Sequence, residues 1–402
     1  MNDTDLCIIG GGPAGMVAGL LFARAGVKTV VLEKHKDFLR DFRGDTVHPS
    51  TLQIFHELGL LDELLKRPHQ RVDAIGGRIG GKDVKIVDFR HLPVPAPYIA
   101  LMPQWDFLDF VAEVARRYPN FTVRQSCEAT ALIEEGGRVG GVRTADGQEF
   151  RSKLVIAADG RDSHFRAGFA SKVIGAPMDV FWFRIPKDAR PTNDSMGVFD
   201  TGRIFVLIDR GDYWQCAFVF AKGSADTVRG EGLDSFIERV RAVGAETQRV
   251  AESVESWDDM KLLTVTVDRL EKWDRPGLLV IGDAAHAMSP IGGVGINLAI
   301  QDAVAAANLL AAAMAKGEAV DPLLHTVHDR RITAVRLTQG MQKLVQDKVI
   351  APTLAGGEPM DGPPLIARLL NRIELLRRIP ARLVGLGFRP EHVHSPDAGG
   401  SM

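Results

Sequence analysis

With 402 residues, 45 % of them hydrophobic and 25 % charged, the chain has the composition of an ordinary globular protein, large enough for one big domain or two intertwined ones. A formal net charge of −2 offers no bulk electrostatic case for a nucleic-acid partner. The three cysteines, Cys7, Cys127 and Cys216, are scattered and odd in number; they supply neither a disulfide framework nor metal-ligand spacing, so no metal is expected and a reducing cytoplasm is. The acidic start MNDTDLCIIG lacks the basic segment of a signal peptide, and the alanine-rich run 303–315 reads as too short to span a bilayer.

In chain order, residues 5–9 form a short apolar strand, followed by a glycine cluster and an apolar-periodic helix that Gly26 closes. KTVVLE then gives a second strand ending at Glu33, which completes a βαβ unit. PSTLQIFHELGLLDELL has helical spacing with Pro49 and Ser50 at its start. From Arg71 to Tyr98 the chain turns rich in glycine and proline with short alternating strands, and QWDFLDFVAEVARRY resumes helical order. Residues 121–150 read as a β-meander returning to the buried strand SKLVIAADG. Between Met178 and about Leu262 the texture is strand-like, with a hairpin turn expected at Arg210–Gly211–Asp212. LLVIGDAAHAM reads as another buried strand, and a long helix is expected from Asn297 to about Lys316. This order predicts an α/β fold with a discontinuous first domain (1–72, 97–177 and 268–350). Inserted into it is a mainly antiparallel β domain (73–96 and 178–267), and a helical segment (351–402) follows.

Gly10, Gly12 and Gly15 satisfy G-x-G-x-x-G between a strand and a helix, and Glu33 ends the next strand. The first glycine permits the tight turn, the second lets backbone approach a pyrophosphate, and the third lets helix and strand pack closely; the acid can accept from a ribose hydroxyl. Pro13 and Ala14 between the glycines are frequent in FAD-binding versions of the motif. A second turn dipeptide, Asp159-Gly160, follows a buried strand. A third stretch, GDAAHAMSPIGGVGIN (282–297), reads as a strand end, a glycine-rich loop and a helix start, the wiring of an anion site. One chain thus carries two glycine-rich strand-to-helix turns.

Together, the glycine fingerprint with Glu33, Asp159-Gly160 with Ser163 and Arg166, and Gly282-Asp283 with the P-x-G-G-x-G-x-N loop resemble the three signatures of the single-component (class A) FAD-dependent aromatic hydroxylases, the family of para-hydroxybenzoate hydroxylase. The resemblance implies a Rossmann-like, glutathione reductase-type FAD domain with an inserted antiparallel substrate domain and C-terminal helices. Gly10, Gly12, Pro13, Ala14 and Gly15 would then cradle the pyrophosphate, with Glu33 and the neighbouring Lys34 at the adenosine ribose. Arg43 and Gln104 would reach the phosphates or ribityl chain, Ala129 would meet the adenine, and Asp159 would support the nucleotide region. Asp283 would bind ribityl hydroxyls, and Pro290, Gly293, Gly295, Ile296 and Asn297 would face the flavin pyrimidine ring.

By the same resemblance NAD(P)H is a transient co-substrate that reduces FAD. O2 then gives a flavin C4a-hydroperoxide, which hydroxylates a phenolic or polycyclic aromatic small molecule, with Pro290 bordering the oxygen-reaction site. Arg184, on the same strand face as Trp182, is a candidate for pairing a substrate anion or for a structural ion pair. His48 is a candidate proton-transfer group near pH 7 or a helix-entry packing residue, and His286 is expected to hold its loop by hydrogen bonding. The three tyrosines, Tyr98, Tyr118 and Tyr213, form no recognisable proton relay.

A halogenase of the same superfamily, a reductase and a catalytically lapsed flavin binder are the alternatives. The halogenase W-x-W-x-I-P element meets Phe181, Phe183, Ile185 and Pro186 here, with both tryptophans replaced. The basic amphipathic stretch 365–388, with Arg368, Arg372, Arg377, Arg378 and Arg382, is expected to pack over the substrate domain or a subunit interface, as in a homodimer, rather than on a membrane. No thioredoxin-like C-terminal domain is expected in this length.

Overall fold

A computed structural model describes residues 2–39, 46–187, 196–200, 202–356 and 362–399. Its first strand, Asn2–Ile9, lies inside an eight-stranded sheet with parallel neighbours on both sides, Glu149–Ala157 and Thr29–Leu32. Leu6, Cys7 and Ile8 are wholly buried, because helices cover both faces of a parallel sheet and the run must be apolar throughout. Leu278–Val280 and Phe121–Arg124 extend the parallel order outward. Strands Ala129–Glu135 and Arg138–Thr144 leave it as an antiparallel ribbon. The helix Pro13–Arg24, buried along most of its length, packs on the helix Gly295–Ala315.

The second layer is a seven-stranded sheet. Its order is Lys261–Leu263, Met178–Pro186, Tyr213–Ala221, Arg203–Asp209, Met196–Asp200, Ala74–Ile79 and Lys82–Asp88. All neighbours are antiparallel except Met196–Asp200 with Ala74–Ile79. Alternation sorts the faces. Phe181, Phe183, Phe205, Cys216 and Phe218 pack against Phe236 of the helix Leu233–Arg241. Val180, Trp182, Ile204, Val206, Ala217 and Val219 look the other way, toward Ile291. The hairpin turn falls where expected, with Gly211 at φ +90.

Four local expectations change. The helix after His48 spans only Pro49–Glu57; Gly59 at φ +71 breaks it before a short turn, Leu61–Leu64. The strand into the third motif stops at Val280, so Asp283 sits in a 3-10 turn beyond it. The helices Ala225–Gly230 and Leu233–Arg241 interrupt a region read as strand-like, and a 22-residue helix, Leu324–Val345, occupies a stretch to which the sequence pattern assigns no element. Finally, the alanine-rich run belongs to a segment, Ile291–Ala315, that is long and apolar enough to cross a membrane by length and composition, yet 72 % of its most apolar window is buried in the protein.

Candidate functional site

The chain brings its two glycine-rich turns together. Gly10 has φ +102, and a methyl there would lie 2.5 Å from the Ala158 carbonyl oxygen; at Gly15 it would lie 2.0 Å from the Gly10 carbonyl oxygen. Only glycine fits either position. Gly12 differs, since among the described residues nothing stands within 4 Å of where its Cβ would be. It is the N-cap of the helix Pro13–Arg24, which has no side-chain cap. The first-turn amides therefore open onto free space at the positive end of the helix, a cradle that fits a pyrophosphate. Glu33, buried at the end of the next strand, closes the cradle: its Oε2 accepts from Gly11 N and its Oε1 from His35 N, both at 2.9 Å. Lys34 is exposed beside it, Ala129 is half-buried at the head of its strand, and Gln104 is the half-buried first residue of the helix Gln104–Ala115. Arg43 lies outside the described residues.

Asp159 stands against this turn, and among the described residues its buried Oδ1 has no hydrogen-bond partner; desolvation raises its pKa. Gly282, at φ +63, sits between Ala14 and Ala299, each of whose Cβ atoms would be 3.2 Å from a methyl there. Ala14 thus acts as the spacer joining the two turns into one continuous surface. Asp283 follows, half-buried, with Arg161 Nη2 at 3.4 Å.

The 290–297 loop is braced on all sides. Pro290 O accepts from Gly293 N at 3.1 Å, and Gly292 and Gly293 both have positive φ. Thr46 Oγ1 donates to Gly293 O at 2.9 Å, and a methyl on Gly293 would meet that hydroxyl at 2.6 Å. Asn297 is buried with every polar capacity used. Its Oδ1 accepts from His48 N (2.9 Å) and Thr51 Oγ1 (2.8 Å), while its Nδ2 donates to Thr46 O (3.1 Å) and Gly293 O (3.3 Å). Its side chain is therefore a staple, and what it and Gly295 and Ile296 can offer a ligand is backbone amide at an uncapped helix start.

Three further groups, invisible as motifs, hold the loop from behind. Gln342 Nε2 donates to Ser289 O and Ile291 O at 2.9 and 3.0 Å while its Oε1 accepts from Ser289 N. Gln339 Nε2 donates to Asp268 O and Ala287 O. Asp302 Oδ2 accepts from Gly282 N at 3.1 Å and from His286 Nε2 at 2.5 Å, and its Oδ1 accepts from the fully buried Arg331 at 2.9 Å. Burial opposes the Asp302 charge, but His286 and Arg331 outweigh it and hold the carboxyl below its ordinary value. His286 thus does the loop-holding expected of it. Only the spacing of Asp302 behind Asn297 on one helix was available as a signal.

His48 is wholly buried; its Nδ1 faces Val384 O at 2.8 Å and its Nε2 has no partner among the described residues. That contact makes Nδ1–H the donor and leaves Nε2 a lone pair. Desolvation lowers the pKa to about 4, which corrects the expectation of a group titrating near pH 7: His48 is neutral there. Arg184 lies on the Trp182 face, as register requires, but at an exposed edge with its guanidinium 5.0 Å from the Tyr213 ring centre.

The family described as FAD binding domain matches residues 3–340. The chain is 31 % identical to 6-methylpretetramide 4-monooxygenase of Streptomyces rimosus, over 94 % of its own length and 92 % of the relative's. It is 27 % identical to rifampicin monooxygenase of Streptomyces venezuelae, over 92 % and 75 %. The fold is shared with p-nitrophenol 4-monooxygenase from Pseudomonas putida, at a TM-score of 0.70 and 21 % identity, over 97 % of this chain and all of that one. With matches that span most of the sequence, the chain belongs to the FAD-binding family of flavoprotein monooxygenases.

Proposed function

We propose that the enzyme uses NAD(P)H and O2 to hydroxylate a polycyclic aromatic small molecule. The observation that carries the substrate class is the near full-length similarity to 6-methylpretetramide 4-monooxygenase. Bound FAD supplies the redox chemistry, taking a hydride from the nicotinamide and activating O2. The protein's part is to bind, orient and exclude water.

Residues 1–72, 97–177 and 268–350 form a glutathione reductase-type FAD domain in this reading, and 73–96 with 178–267 form the substrate domain. Gly10, Gly12 and Gly15 with the open amides behind Pro13 hold the pyrophosphate, and Glu33 holds the ribose, with Lys34 and Ala129 on the adenosine side. Asp159 and Gln104 line the nucleotide, and Asp283 takes the ribityl hydroxyls. The amides of Gly293, Gly295, Ile296 and Asn297 would offer donors to negative charge on the ring, as an oxyanion hole does. Such dipoles are worth up to ~2 kcal/mol when partly buried.

The substrate would lie between Pro290–Ile291 and the sheet face of Val180, Trp182 and Ala217, where an apolar cluster already joins the layers. Arg184, at the outer edge of that face, would meet an anionic group on the substrate, and neutral His48 would act as a hydrogen-bond acceptor at Nε2. Phe181 and Phe183 face away from the loop into the other core, which does not favour a halogenase. The test is a screen of phenolic and polycyclic compounds for stimulated NADH and NADPH oxidation, with product mass read for one added oxygen. Absence of FAD reduction by either nicotinamide with every ligand would overturn the reading.

A further inference from the structure

The C-terminal helices are amphipathic in the wrong sense for a domain surface. Leu365–Arg372 and Arg378–Gly385 lie on the strand Lys82–Asp88, but what they bury there is small: Ala367 in one and Ala381 in the other. Val384 also packs inward, on the apolar cluster that holds Ala381, but many of the large apolar side chains of this stretch point outward. Leu365 is 79 % exposed, Ile366 73 %, and Leu375 and Ile379 62 % each, with Leu369 and Ile373 between them. A run of six large aliphatics on one short exposed stretch exceeds the scattered singles of an ordinary surface and calls for a cover.

Charge decides what covers it. Arg368, Arg372, Arg378 and Arg382 are exposed on the same stretch against one exposed acid, Glu374, whereas the whole chain is net negative at −2. A second copy docked through this face would set arginine-rich face against arginine-rich face, since an isologous contact pairs a patch with itself. Leu and Ile flanked by arginines whose long stems can reach past them to headgroups fit a bilayer interface instead. We propose that the 365–382 face docks the enzyme on an anionic lipid surface, lying on it rather than crossing it. The bulk of the expected packing role is retained by the inner, alanine-bearing face.

The test is flotation of the full-length, FAD-loaded protein with phosphatidylcholine vesicles, with and without about 30 % phosphatidylglycerol. Co-flotation is expected with the anionic vesicles only, and weakened at high salt, because exposed charge pairs are screened. Leu365→Ser with Ile366→Ser, and separately Arg372→Glu with Arg378→Glu, should each reduce the bound fraction at least about tenfold. Both pairs are on the surface, and unchanged FAD absorbance and circular dichroism verify that they fold. No binding to anionic vesicles, or binding that neither pair weakens, overturns the proposal. So does a concentration-dependent dimer that the same substitutions dissolve, which would make a second copy the occupant. Vesicle binding is read without turnover, so its failure leaves the monooxygenase reading standing.

Discussion

Between Gly10 and Gly15 the chain is shaped by its own backbone: methyls would strike the Ala158 and Gly10 carbonyls, and the helix that follows is left with open, uncapped amides. Between Gly282 and Asn297 the same strand–turn–helix order is held by side chains from elsewhere. Asp302 grips Gly282, Gln342 grips Ser289 and Ile291, and Thr46 grips Gly293. The first turn is fixed by its own backbone and opens at an uncapped helix start. The second is a loop whose position is set by tertiary contacts, as the proposed ring-facing role would require.

The sharpest way to break this contrast is Asp302→Ala. It leaves Arg331 buried without its main partner and frees Gly282 N, so a loss of about 3–5 kcal/mol is expected in urea unfolding of the FAD-free protein. A loss below about 1 kcal/mol would mean that the second turn is as self-sufficient as the first.

The first turn is tested by two glycines that should answer oppositely. Gly15→Ala should cost about 3 kcal/mol through its backbone clash. Gly12→Ala should leave the FAD-free protein within about 0.5 kcal/mol of wild type. It should nonetheless weaken FAD binding, read by flavin fluorescence quenching, because its methyl takes the space of the pyrophosphate. Equal effects of the two on folding would remove the cradle reading.

His48 gives the second turn a pH dependence of its own. Its folded pKa, about 4, is depressed below the ordinary value of about 6.5. The unfolded chain therefore takes up the proton first, and stability should fall as pH drops from about 6.5 toward 4, by roughly 3 kcal/mol at most. In His48→Asn the loss between pH 7 and pH 5 should be smaller than in wild type. Asn297→Ala, which removes the staple but no charge, is expected to cost about 2 kcal/mol and to be indifferent to pH.

Much of the first region was legible because its determinants are neighbours in sequence. Gly10, Gly12, Gly15 and Glu33 belong to one βαβ unit, where Gly10 and Gly15 are sterically required and Glu33 accepts from Gly11 N and His35 N. The second region was legible only as a pattern. Nothing in the spacing of Gln339 and Gln342 marks them as clamps, since a glutamine in a helix is as ordinary on a surface. The depressed basicity of His48 likewise depends on burial, which outweighs the opposing hydrogen bond to Val384, a residue far along the chain.

The sequence by itself determined the α/β order, the glycine positions that tolerate no side chain, and the signatures of an FAD protein, because these rest on local sterics and on period. Only the tertiary structure decided that the two turns meet through Ala14 and Gly282, that His48 is neutral, and that the C-terminal helices bury alanine and expose leucine. Those outcomes depend on which surfaces are brought into contact and desolvated, and burial is a property of the packed chain rather than of any segment in it.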